Sequence, residues 1–326
     1  MKKENSDSAF EAILNKINDK KIVSSNDFDS NTGSLKNKDV IILNEKEAKD
    51  LLSKLDSGNW VVKKIDEKPR TSNPKPPFTT STLQQEAARK LRFSAKNTMR
   101  VAQQLYENGF ITYMRTDSTH LSDEAVKGSR HIVSDLFGDD FLPKSPNNYE
   151  TNVKNAQEAH EAIRPAHKIF KSIDTVSKKL GKDAGNLYDL IWKRTIASQM
   201  LPAKLKQTSV IISNADADFR ASGQTIVFPG YMKIYVEGKD NPEAELANKE
   251  KILPEMSENE ILMCNQISSQ SHQTKPPARF TEASLVKEME NNGIGRPSTF
   301  ASILDTIVRR GYVEKTKSNL SPTYLG

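Results

Sequence analysis

Apolar positions recur along this chain with two different periods, and the change from one to the other divides it. From Ser81 to Gly138 they fall three and four apart, which stacks them on one face of a helix. Ser81 with Gln84 reads as a capping box for the first helix. Ser94 opens a second, whose Ala95, Met99, Ala102 and Leu105 or Tyr106 share a face and which Gly109 closes. Ser122, followed by Asp123 and Glu124, starts a third, since acidic side chains suit the positive end of a helix. A further helix is predicted from about Asn186 to Met200, stopped by Pro202. The period then shortens to two. Val210-Ile-Ile, Phe219-Arg-Ala-Ser, Ile226-Val-Phe and Met232-Lys-Ile-Tyr-Val alternate and are punctuated by glycine, which predicts sheet.

The two ends repeat this mixture on a smaller scale. Residues 10–66 combine strand-like runs, Lys21-Ile-Val-Ser and Trp60-Val-Val-Lys, with one helix from about Glu45 to Leu55 that Gly58 helps to end. Lys68 to Pro77, "KPRTSNPKPP", is predicted to be a linker, because proline holds the residue before it extended. Lys275-Pro-Pro-Ala marks a second crossover, followed by helices at about Thr281–Asn291 and Ser298–Arg310. Helix, turn, helix and then Tyr312-Val-Glu has the order of a winged-helix unit.

Length and composition narrow the class. A chain of 326 residues exceeds the usual single domain, so several compact units are expected. No apolar run approaches the roughly 18–20 residues that cross a bilayer, and the N-terminus lacks an apolar signal core, so a cytoplasmic protein without a membrane partner is expected. Cys264 is the sole cysteine, which excludes an internal disulfide framework and a zinc site built on paired cysteines. The net charge of +6 leans toward a polyanionic partner, and its distribution says more. Between Arg89 and Arg115 the cations Arg89, Lys90, Arg92, Lys96, Arg100 and Arg115 meet only Glu107 as an anion, a footprint for phosphate.

Three clusters carry candidate chemistry. In "GFITYMRTDS", a strand-like run entering a loop, Tyr113 and Arg115 lie two apart and so share a face. Packing alone accounts for such a pair. The alternative is a nucleophile toward a phosphodiester: a phenol of pKa about 10 is protonated at neutral pH and needs a nearby cation to favour phenoxide and to hold the phosphate. In "EAHEAIRP" a short helix ending near Pro165 would put His160 and Arg164 four apart on one face, either as a solvated surface or as a contact to one phosphate. In "GIGRPSTF" the glycines allow close approach, Arg296 offers a fork, Ser298 caps the next helix, and the helix N-terminus near Thr299 suits an anion. Asp216-Ala-Asp218 has the look of a magnesium-binding pair, but it has no third acid at useful spacing and makes a good turn; no metal ligand is assigned in this chain.

"PPFTTSTLQQEAARKL", "TMRVAQQLYENGFITYMRTDS", "AQEAHEAIRP" and "PPARFTEASLVKEMENNGIGRPSTFASILDTIVRRGYV", in this order, resemble the type IA DNA topoisomerase family, in its bacterial topoisomerase I branch. The resemblance runs from about Phe10 to the C-terminus. It implies an α+β multidomain clamp: arch residues at 1–79 and 206–272, a mainly helical tyrosine domain at 80–205, and part of a winged-helix-like base at 273–326. It implies that Tyr113 attacks DNA and holds its 5′-phosphate, and that Arg115 stabilises the cleaved phosphate. His160, Arg164, Arg296, Ser298, Thr299 and Arg310 would contact DNA. The expected substrates are single-stranded and negatively supercoiled DNA, handled by a monomer at the nucleoid. The family's Toprim domain, with its magnesium-binding acidic residues, has no counterpart in this sequence. The chain is therefore expected to be an internal fragment, inactive without that domain and its Mg2+, with a non-catalytic single-stranded DNA-binding module as the alternative. A tyrosine recombinase is disfavoured by order, since its tyrosine follows the Arg and His-x-x-Arg groups whereas Tyr113 precedes them.

Overall fold

The computed structural model describes residues 1–3, 9–29, 31–55, 58–149, 160–238 and 252–326. They form two compact units. One comprises Met1–Arg70, Leu205–Val227 and Lys249–Ala278; the other comprises Thr71–Lys204, Phe228–Asn248 and Arg279–Gly326.

The first unit is built on a sheet. Strands β1 (Lys2–Lys3), β2 (Ile13–Ile17), β3 (Lys20–Lys21), β4 (Trp60–Ser72), β5 (Ala203–Asn214), β6 (Ala217–Phe228) and β7 (Ile261–Met263) lie in the order β1-β7-β4-β5-β6-β2-β3. Helix α1, Glu45–Leu55, agrees with the sequence pattern, and its Leu55 joins Trp60, Val62, Val210, Ile212 and Phe219 in the core. Alternation buries Trp60 and Val62 while leaving Lys63 outside, and Trp60 meets Phe219 edge-on at 5.0 Å. The predicted linker differs: its first half, through Pro69, continues β4. Within β4 the described ladder to β7 covers only Trp60 and Val61, so the exposed far end of β4 lies beyond it and tolerates a residue without an N–H. Asp218 is an ion-pair partner of Lys63 at 2.9 Å and accepts from Ser213.

The second unit is mainly helical: α2 (Thr80–Leu91), α3 (Ala95–Glu107), α4 (Asp123–Phe137), α5 (Ile173–Leu180), α6 (Lys182–Ser198), α7 (Glu282–Asn291) and α8 (Phe300–Arg309), with the hairpin β8 (Val313–Thr316) and β9 (Asn319–Pro322). Ser94 and Ser122 cap α3 and α4 as their sequences predict. Helix α2 is capped by Thr79 with Thr82 rather than by Ser81, and α6 begins earlier than predicted, at Lys182. The Met232–Val236 run is no strand, and its first two residues belong to a short 3-10 turn at Gly230–Lys233. Its Tyr235 and the preceding Tyr231 are buried: Tyr231 bonds Ser72 at 2.9 Å and Tyr235 Oη donates to Glu86 at 2.7 Å. One apolar core gathers Phe78, Leu83, Leu105, Met114, Tyr188 and Ile191. A smaller one joins Ala95 of α3 to Val286, Phe300, Leu304 and Leu320, so the helix–turn–helix and its hairpin are seated on α3.

Candidate active site

The segment bearing Tyr113 leaves α3 through Gly109, whose φ of +72° glycine adopts without a Cβ clash. Beyond that point the predicted strand reduces to one bridge, Ile111 to Pro165, with bends at Thr112, Met114 and Arg115. Alternation still decides which way the side chains point. Met114 is buried to 1% in the helical core, and its neighbours Tyr113 and Arg115 face solvent, Tyr113 being 40% exposed. Hydrogen bonds on both flanks fix this arrangement. Thr112 donates from its backbone to the Arg164 carbonyl (2.9 Å) and from Oγ1 to the Ala162 carbonyl (2.7 Å). Thr80, the first residue of α2, donates Oγ1 to the Met114 carbonyl (2.7 Å), while the Thr116 N–H donates to Thr80 Oγ1 (2.9 Å). The phenol and guanidinium thus project from a tethered platform rather than a loose loop.

Two rings flank the phenol. Tyr106, on α3, lies edge-on at 5.3 Å between centroids, and His160 lies on another side at 6.2 Å. Arg115 lines a cleft of about 230 Å³ with Lys96, Met99, Pro297, Ser298, Ser302 and Asp305, where Lys96 pairs with Asp305 at 3.0 Å. This cleft brings Arg115 to the start of α8. There Thr299 is the N-cap residue, its Oγ1 accepting from the Arg296 N–H at 2.8 Å, and Ser298 precedes it instead of capping. Chemically the arrangement offers an exposed hydroxyl nucleophile two residues from Arg115, whose cleft adds Lys96 and a helix N-terminus, groups suited to a phosphodiester.

Residues 10–326 match the sequence family described as DNA topoisomerase. The chain belongs to that family. The DNA topoisomerase 1 of Synechocystis sp. is 51% identical over 316 residues, covering 97% of this chain and 35% of that protein. The DNA topoisomerase 1 of Streptomyces coelicolor is 49% identical over 323 residues, covering 98% of this chain and 34% of that protein. The structure of full-length topoisomerase I from Thermotoga maritima superimposes with a TM-score of 0.68 at 36% identity, over 89% of this chain and 46% of that one. The chain thus spans about a third of the length of the curated relatives it matches.

Within this chain the "EAHEAIRP" cluster departs from expectation. Glu158 lies outside the described residues, and His160 to Pro165 are extended rather than helical, because Ile163 bridges Phe78 and Pro165 bridges Ile111. His160 and Arg164 therefore do not share a helix face. Arg164 is buried, paired with Glu161 at 2.8 Å, and its Nη1 and Nη2 donate to the Pro165 carbonyl and to Ser122 Oγ. Its guanidinium fastens this strand to the start of α4. Arg310 is the C-cap residue of the ten-residue α8, about 16 Å along the helix from Thr299, so these two are not brought together.

Sequence reasoning overlooked two contributors. The apolar period of α3 accommodates either Leu105 or Tyr106 on its buried face, yet Tyr106 is 40% exposed and leans on Tyr113. Its neighbour Leu105 already fills the apolar stripe, and a helix turns about 100° per residue, which was the available signal. The other is Glu290, at the end of α7, which accepts from Ser81 Oγ at 2.7 Å. Burial raises its carboxyl above the usual value, the bond from Ser81 opposes this, and the Asp117 carboxylate adds to it. No spacing in the sequence pairs residues so far apart. Among the described residues no group of three or more His, Cys, Asp or Glu side chains could hold a metal ion, and no described helix is long and apolar enough to cross a membrane.

Proposed function

We propose that this chain supplies the DNA-cleaving tyrosine of a type IA topoisomerase. The observation that carries this reading is the pairing of exposed Tyr113 and Arg115 on either side of buried Met114. The Tyr113 hydroxyl loses its proton and attacks a backbone phosphorus of single-stranded DNA. A tyrosyl–phosphate bond forms, the bond from phosphorus to the 3′ oxygen breaks, and that oxygen takes up a proton. The 5′-phosphate stays on Tyr113, so the reverse attack by the 3′-hydroxyl reseals the strand without a nucleotide. Arg115 offsets the phosphate charge as it grows toward the transition state, and His160 reaches the same phosphate from the other side. Passage of a strand through the gap relaxes negatively supercoiled DNA.

Magnesium, on this reading, belongs to a Toprim domain outside this chain, because the family resemblance places the magnesium-binding acidic residues there. The chain alone is proposed to bind single-stranded DNA without relaxing plasmid, as a monomer in the cytoplasm at the nucleoid. Incubating the full-length protein with labelled single-stranded oligonucleotide and denaturing in SDS should trap a covalent adduct at Tyr113. Tyr113→Phe should abolish it, and an undiminished adduct in that variant would remove the assignment.

A further inference from the structure

Away from Tyr113, a second cleft of about 350 Å³ opens between the last turn of α2, the first residues of α7 and the β8–β9 hairpin. Thr80 at the start of α2 bonds the tyrosine segment, and the cleft sits at the helix's other end, about 15 Å further along. Arg89, Arg92, Lys315 and Lys317 line it, with Glu282 as the only acidic lining residue. That carboxylate is occupied: Oε1 accepts from Lys315 Nζ at 2.6 Å and Oε2 from the Ala95 N–H at 2.8 Å. Arg89 is engaged as well, with Glu86 at 3.1 Å. Arg92 and Lys317 are exposed, and neither makes an ion pair with any described residue.

Those two share a second property. Arg92 ends α2 with φ +59°, and Lys317 turns the hairpin with φ +56°. A Cβ is crowded in this left-handed conformation, and glycine or asparagine is the residue that suits a helix end or a tight hairpin turn. Among the described non-glycine residues with positive φ, Arg92 and Lys317 alone carry a permanent positive charge, and both line this one cleft. Strain accepted at two separate turns for the sake of cations facing the same space indicates a use for the charge, not for the turn. Half-buried Phe93 adds an apolar wall.

We propose that this cleft seats the sugar-phosphate backbone of a DNA strand at a distance from the cleavage site, Arg92 and Lys317 each pairing with a phosphate. The charges stand on different elements, one at a helix end and one at a hairpin tip, which fits successive phosphates of a chain better than a single small anion. The proposal rests on DNA being the substrate, and its test separates the two.

Glycine removes each charge while relieving the strain, so Arg92→Gly/Lys317→Gly should unfold at the wild-type temperature or above it. Fluorescence anisotropy of a labelled oligothymidylate of about twenty nucleotides, titrated at several salt concentrations, reads the contacts. The double variant should lower the slope of log K against log salt by about 1.4, the share of two phosphates on a single strand, and weaken binding about tenfold at low salt. A folded double variant with unchanged slope and affinity overturns the proposal. If Arg115→Ala weakens binding while the double variant does not, DNA remains the substrate and the cleft is discarded. Saturable binding of sodium triphosphate, lost in the double variant while the oligonucleotide slope is unchanged, would reassign the cleft to a small anion and likewise overturn it.

Discussion

Tyr106 meets Tyr113 edge to face, with centroids 5.3 Å apart and planes inclined at 68°. The contact limits the swing of a side chain that is otherwise open to solvent, and it comes from α3, whose Val101, Ala102 and Leu105 are buried in the core. An aromatic pair of this geometry contributes about 0.5–1.5 kcal/mol, so loss of the ring should slow adduct formation about two- to tenfold. Tyr106→Ala in the full-length protein is expected to show that loss, and Tyr106→Phe to show none. Equal losses in both variants would assign the effect to the Tyr106 hydroxyl and not to the ring.

Arg164 is predicted to matter for folding and not for phosphate. Its side chain is 10% exposed and its partner Glu161 28%, and the same guanidinium holds Pro165 and Ser122. Removing one member of a largely buried pair strands the other, which here costs about 2–4 kcal/mol because Glu161 keeps some water. Urea denaturation of Arg164→Ala should show this loss, while the folded fraction binds oligonucleotide as the wild type does. Full stability with weakened binding would return Arg164 to the DNA surface.

The Glu290 carboxyl gives a pH signature of definite sign. Its value is raised in the folded state, by burial first and by Asp117 after it, so the folded protein holds a proton that the unfolded chain releases. Stability is therefore undiminished below the ordinary carboxylate range and falls as pH rises through the raised folded value. Glu290→Gln keeps an acceptor for Ser81 Oγ and abolishes the titration. Thermal unfolding of this variant should be flatter between mildly acid and neutral pH, with a midpoint at pH 7 no lower than that of the wild type. A steeper pH dependence would mean that the ionised form is the one the fold favours.

What could be read from the sequence was what local chemistry dictates. Ser94 and Ser122 precede helices because a hydroxyl satisfies an orphan N–H within three residues, and α1 keeps its predicted bounds. Tyr113 and Arg115 share a face by alternation alone, and this held even though only one bridge forms there. Misreadings arose where distant partners overrode local preference. His160 to Pro165 would suit a helix, yet Phe78 and Ile111 recruit the segment as extended chain. Ser81 has the spacing of a cap but donates instead to Glu290, and Met232 to Val236 alternates like a strand while its Tyr235 is claimed by Glu86 and the preceding Tyr231 by Ser72.

The "GIGRPSTF" loop supports a last prediction. Gly295 has φ +81°, and a Cβ there would stand 3.0 Å from Ile303 Cδ1 and 3.2 Å from Phe300 Cδ1, so the loop lies tightly over the start of α8. Arg296 is exposed and spends Nη1 on the carbonyl of Gly295 at 2.7 Å, a neutral acceptor of its own loop. A phosphate offers a charged acceptor, and a charge-assisted bond is about twice as strong as a neutral one, so DNA should draw the guanidinium outward. Such a contact reads no sequence. Arg296→Ala is expected to weaken the binding of oligonucleotides of different sequence by the same factor and to lower the salt slope by about 0.7. Arg310, at the far end of α8, shares no partner with it, so the slope changes of Arg296→Ala and Arg310→Ala should add in the double variant. A loss that depended on sequence, with the slope intact, would show that Arg296 reads a base edge and that the phosphate is held by other groups.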